Sequence, residues 1–181
     1  MTTHTNHLSA EHDSRPVVIG YDGSPSAGSA LDRGISMAQA LGVPLRLIST
    51  WQYPTSYGGY PLTDWTPEED ARIMIRAAVA VRFGSDVPTW FSSAIVQGGA
   101  ARVLIRESRD AQMLVVGSRG HGGFVGLLLG SVSSACAEHA SCPVLVMHAP
   151  LVDEDNAIDA GAEALGDGSR TSDQLAGATT S

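Results

Sequence analysis

The chain has 181 residues, 17% charged and 43% hydrophobic, with 11 basic against 19 acidic residues and a net charge of −8. That length fits one domain with tails, and the acidic balance argues against nucleic acid or anionic lipid as the main partner. Every basic residue is Arg and none is Lys, which excludes a P-loop lysine, a Schiff base and a lysine general base.

Residues 1–15 are polar, carry no apolar signal-peptide core and have net charge −1. His4, His7 and His12 in this segment form a short histidine tract, read as a solvated tail rather than a metal site. Val17–Tyr21 is an apolar run suited to a strand buried on both faces. Asp22-Gly23 follows as a turn, then Ser24-Pro25 supplies an N-cap and a favoured first helical residue. The first helix runs from Ala27 to Leu41 with Ala30, Leu31, Gly34, Met37, Ala38 and Leu41 on its apolar face, and Gly42 ends it. Leu45 to Thr50 is the second strand, and residues 51–65 form a Pro/Gly/Tyr-rich loop too long for a simple connector. Thr66-Pro67-Glu68-Glu69 opens a second helix to about Phe83, its acids favoured in the first turn. A third strand (Trp90–Val96), a short helix (Ala101–Ser108) and a fourth strand (Met113–Val116) follow. After a glycine-rich loop come a helix from Ser131 to about His139 and a last strand, Val144–Met147. Residues 150–181 are rich in Gly, Ala, Ser, Thr and Asp, with net charge −6 over 151–181, and are read as a disordered acidic tail.

Strands alternating with helices, and apolar throughout, predict an α/β domain over residues 16–149. Its single five-stranded parallel sheet is doubly wound, Rossmann-like, with helices on both faces. Such sheets bind ligands beyond the carboxyl ends of the strands, where the winding reverses. At the first strand end, Asp22 is either a turn residue or an acceptor for a ribose hydroxyl or adenine amino group. At the fourth, the loop starting Gly117-Ser118-Arg119-Gly120-His121 and ending at Gly130-Ser131 lacks side chains where a polyanion would approach backbone N–H groups. It ends at a helix start, which favours phosphate, and Ser131, Ser133 and Arg119 add donors. The loop is not a P-loop, nor a dinucleotide fingerprint, which would follow the first strand.

The segments VVIGYDGSPSAGSAL, VQGGAARVLI and VVGSRGHGGFVGLLLGSVSSACAEHASCPVLVMH resemble the universal stress protein family. The ATP-binding branch's signature G-x2-G-x9-G-[ST] is met by Gly117, Gly120, Gly130 and Ser131. The resemblance implies strand order 3-2-1-4-5, with Asp22 and the backbone at Gly20 at the adenosine end. It further implies Val116 and Gly117 at the nucleotide, Ser118, Arg119 and Gly120 around the phosphates, and Gly130, Ser131, Val132 and Ser133 receiving them. Thr50 aligns with the adenine-pocket residue of the second strand, where the family often has a small apolar side chain. The family also implies a homodimer through Val144, Leu145, Val146 and Met147, which would cover an otherwise hazardous edge. ATP, with Mg²⁺ held mostly by phosphate oxygens and water, is the expected ligand. The leading reading is a nucleotide-dependent regulatory module acting on an unidentified protein partner in stress response or dormancy. A slow ATPase and a dimeric scaffold without nucleotide are the alternatives. With no committed base and no G-x-S-x-G elbow, at most weak hydrolysis is expected, and no catalytic residue is assigned. Cys136, His139, Cys142 and His148 have a metal-like spacing but read as small buried thiols beside ordinary histidines. Two cysteines make no disulfide framework, and no apolar run nears the ~18 residues of a membrane span, so a cytoplasmic address is expected.

Overall fold

A computed structural model describes residues 13–53, 66–120 and 129–150. All fall within the first of two units into which the chain divides, Met1–Pro150 and Leu151–Ser181. Five strands form one parallel sheet: β1 (Val17–Gly20), β2 (Leu45–Trp51), β3 (Phe91–Gln97), β4 (Met113–Gly117) and β5 (Val144–Met147). Their order is β3-β2-β1-β4-β5, so the winding reverses between β1 and β4. Helices α1 (Pro25–Leu41), α2 (Pro67–Phe83), α3 (Ala100–Glu107) and α4 (Ser131–His139) make the crossovers.

Side-chain alternation along β1 divides the core in two. Val17 and Ile19 pack with Ala30, Leu31, Leu47, Ile75 and Val115 under α1 and α2. Val18 packs with Ile48, Val103, Leu104, Leu114, Val116 and Cys136 under α3 and α4. Gly34 of α1 lies over β1: a Cβ there would come within 2.9 Å of Ile19 Cγ1, so a larger residue would lift the helix off the sheet.

The helix boundaries follow local chemistry. The Ser24 hydroxyl accepts from the Ala27 N–H at 3.2 Å, and Pro25 opens α1. Gly42 closes it at φ 67°, its N–H directed to the carbonyls of Ala38 and Gln39, a left-handed cap that glycine adopts without steric cost. The Arg82 guanidinium ties α2 to Asp32 of α1 at 2.7 Å.

Several expectations are corrected. Leu41, placed on the apolar face of α1, is 37% exposed as the last residue of that helix. Continuous burial holds for the central strands only. Ser92, Ser93 and Gln97 of β3 are exposed, and all four residues of β5 are half-buried, as befits the two edges. Strand β1 stops at Gly20, although the Tyr21 N–H still reaches the Ile48 carbonyl at 2.8 Å. Strands β2 and β4 each run one residue further than expected, β3 starts one residue later, and α3 is displaced by one. Residues 1–12 and 151–181 of the expected tails, loop residues 54–65, and residues 121–128 with His121 lie outside the described residues. Among the described residues no helix is long and apolar enough to cross a membrane.

Candidate functional site

The carboxyl ends of β1 and β4 lie side by side, and glycines let helices close over them. A Cβ on Gly20 would lie 2.6 Å from Leu104 Cδ1 of α3. A Cβ on Gly117 would lie 2.8 Å from the Ala27 nitrogen and 2.9 Å from the Ser26 carbonyl carbon. The first glycine of the signature thus serves packing, admitting the start of α1 against β4.

Beyond β1, Asp22 is exposed, and its Oδ1 accepts from the Ser24 N–H at 3.0 Å. Its Oδ2 lies where a side chain on Gly120 would begin, so the carboxylate bridges from the β1 end to the glycine segment. The two ends of that segment are pinned together. The Ser118 carbonyl accepts from the Gly130 N–H at 2.7 Å and the Ser133 hydroxyl at 2.9 Å. The Arg119 carbonyl accepts from the hydroxyls of Ser24 (3.2 Å) and Ser26. Gly130, the residue before α4, supplies no side-chain cap to that helix, leaving its first-turn amides to another acceptor.

Together these elements enclose a cavity of about 810 Å³, within the range of small-molecule sites, about 300–1,000 Å³. Gly20, Asp22, Thr50, Val116, Gly117, Arg119, Gly120, Gly130, Ser131, Val132 and Ser133 all line it. Ser118 does not: it is 2% exposed, with its N–H donating to the Met147 carbonyl at 2.6 Å and its carbonyl held at the loop base. The Ser133 hydroxyl is likewise engaged, with Ser118 and with Gly130 at 3.0 Å.

One wall escaped the sequence reading. Asp70, Ala71 and Met74 of α2 line the cavity with Pro67, and Trp51 and Gln52 extend it beyond β2. Trp51 is held edge-on to Tyr53 at 5.4 Å. Position 74 neighbours both 70 and 71 on the helix by spacing, but only the packing of α2 at the β2 end reveals that these residues meet the cavity. Ile48, Ala71, Met74, Leu104 and Val116 give the cavity apolar lining. Arg119, Gly120, Gly130 and the first turn of α4 give it polar lining, and Arg119 is the one cationic side chain among the described lining residues.

The thiols lie elsewhere. Cys136 is fully buried in the α3–α4 core, and burial pushes its pKa up to about 11. Burial also raises Cys142. Among the described residues no group of three or more His, Cys, Asp or Glu is placed to hold a metal ion.

Fold and crevice define a doubly wound α/β protein with an open cavity at its winding reversal. The sequence profile of the Universal stress protein family matches residues 14–148, and the chain belongs to that family. It is 38% identical over 145 residues to a universal stress protein of Mycolicibacterium smegmatis, covering 76% of this chain and 47% of the relative. It is 34% identical over 142 residues to universal stress protein Rv2624c of Mycobacterium tuberculosis, covering 76% and 49%. The chain thus spans about half the length of the curated relatives it matches. Among solved structures, UspA from Lactobacillus plantarum aligns with TM-score 0.61 at 18% identity, covering 74% of this chain and 97% of that one. The Archaeoglobus fulgidus universal stress protein in complex with dAMP aligns with TM-score 0.51 at 20% identity, covering 74% and 97%. At these identities the structural likeness concerns the fold.

Proposed function

We propose that this protein is an ATP-binding universal stress protein, a nucleotide-dependent regulatory module that works as a homodimer. The observation that carries the reading is the make-up of the crevice lining: apolar side chains together with glycine backbone and a helix start without a side-chain cap. The apolar lining of Ile48, Ala71, Met74, Leu104 and Val116 suits a nucleobase. Thr50 and the Asp22 carboxylate offer polar groups to base and ribose. The phosphates would lie against Gly120 and the first-turn amides of α4, where the helix dipole favours an anion, with Arg119 adding charge. Because the Ser133 hydroxyl is already engaged, Ser133 would contribute through its amide. Mg²⁺ would be held mainly by phosphate oxygens and water, since the described lining residues offer only two carboxylates, Asp22 and Asp70.

Binding would bring the glycine segment under the phosphates and shift the population toward a form recognised by a regulatory partner. The homodimer would pair β5 edges, covering the half-buried side chains of Val144–Met147. A universal stress protein of the same fold is in complex with dAMP, a nucleotide of the class proposed.

Mass spectrometry of natively purified protein, followed by calorimetric titration with ATP and Mg²⁺, tests the reading. A co-purifying adenine nucleotide or saturable ATP binding is expected. Protein that takes up no nucleotide under excess ATP would refute it.

A further inference from the structure

Four buried serines surround the base of the glycine segment: Ser24, Ser26, Ser118 and Ser133, each no more than 5% exposed. Two of them, at the start of α1, meet the same atom. The Ser24 hydroxyl lies 3.2 Å from the Arg119 carbonyl oxygen, and the Ser26 hydroxyl donates to it in a short hydrogen bond. The two hydroxyls are 3.2 Å apart, and Ser24 also accepts from the Ala27 N–H, so helix cap and loop anchor are one network. N-capping alone does not account for Ser26, whose side chain faces the loop rather than an amide of its own helix.

The consequence follows from peptide geometry. In a trans peptide the C=O and the following N–H point in opposite directions. Turning the Arg119 carbonyl toward α1 therefore turns the Gly120 N–H away from α1, across the cavity that Arg119 and Gly120 line. In the preceding peptide, the Ser118 carbonyl is held toward α4 by the Gly130 N–H and the Ser133 hydroxyl. Two successive carbonyl oxygens, which would repel an anion, are thus committed to donors within the protein. We infer that Ser26, assisted by Ser24, is a positioning residue that fixes the Arg119–Gly120 peptide with its N–H toward the ligand's phosphates. This rests on the nucleotide reading and extends it to residues outside the ligand-contacting set.

The test compares full-length wild type with Ser26→Ala, titrated calorimetrically with ATP and with adenosine, which lacks phosphates. The ratio of ATP to adenosine affinity is expected to fall about tenfold in the variant, the effect of losing one hydrogen bond that orients the site. A merely structural loss would weaken both ligands alike and leave the ratio unchanged, which would overturn the inference. As a check independent of the variant's folding, the Gly120 amide resonance of the wild type should shift with ATP and not with adenosine. A Gly120 amide indifferent to ATP, in a wild type that binds ATP, would overturn the inference while sparing the nucleotide reading. Wild type that binds neither ligand would overturn both.

Discussion

Gly117 and Gly130, two glycines of one signature, should respond differently to the same substitution. In Gly117→Ala the new Cβ would lie 2.8 and 2.9 Å from backbone atoms of Ala27 and Ser26. Ordinary carbon contacts lie at about 3.5–4.0 Å, and α1 cannot rotate these atoms away as it could a side chain. The start of the helix must withdraw by roughly 0.6 Å or more, with an overpacking cost of about 1–3 kcal/mol. That withdrawal also draws Ser26 off the Arg119 carbonyl, adding about 1 kcal/mol. Gly130 has φ −78°, open to any residue, and the nearest atom to its Cβ is the Ser118 carbonyl oxygen at 3.4 Å. There alanine costs about 0.5–1 kcal/mol, because it is a poorer helix cap than glycine. Urea unfolding followed by far-UV circular dichroism measures both. Gly117→Ala should lose about 2–4 kcal/mol. If it proves no less stable than Gly130→Ala, the packing role assigned to Gly117 is wrong.

Gly130→Asp should keep the fold, since Asp is a favourable N-cap, yet weaken ATP binding about 100-fold or more through like charge and competition for the α4 amides; unchanged calorimetric affinity would contradict the phosphate assignment. Gly120→Val should also abolish ATP binding, by displacing the Asp22 carboxylate and filling the phosphate approach, and wild-type affinity would refute it. Stability should decline as pH rises from about 9 to about 11 through the raised Cys136 pKa. The thiol stays protonated in the folded state while the unfolded one ionises, so the unfolded state gains by on the order of 2 kcal/mol across that window; Cys136→Ala should flatten this slope in urea titrations. Light scattering should give twice the 18.8 kDa chain mass, and a monomer at micromolar concentration would exclude pairing through β5.

The sequence made the architecture readable because its punctuation is local. Ser24-Pro25, Gly42 and the acids after Thr66 each act on their own backbone, so α1 and α2 lie where their caps put them. The strand-end rule likewise directs attention to Asp22 and to Gly117, Arg119, Gly120 and Gly130–Ser133, which line one crevice. What escaped depends on contacts distant along the chain. Asp70 and Met74 are an ordinary helical pair until α2 crosses the β2 end. The pairing of Ser26 with the Arg119 carbonyl spans 93 positions and leaves no periodic trace. Ser118 looks like a donor in a glycine loop, but the fold uses its carbonyl and buries its hydroxyl. Leu41 satisfies the helical period but, as the last residue of α1, is left exposed.

The elements that carry the crevice differ in how hard they are to open. Val17, Val18 and Ile19 of the central strand have at most 1% exposure, so their amides should exchange with solvent only through complete unfolding. Helix α2, which lines the crevice through Pro67, Asp70, Ala71 and Met74, leaves Ile73 56% and Val81 80% exposed on its outer face. Fluctuations that free a bound molecule should therefore pass through α2, and its amide protons should show the largest gain in protection when the crevice is filled.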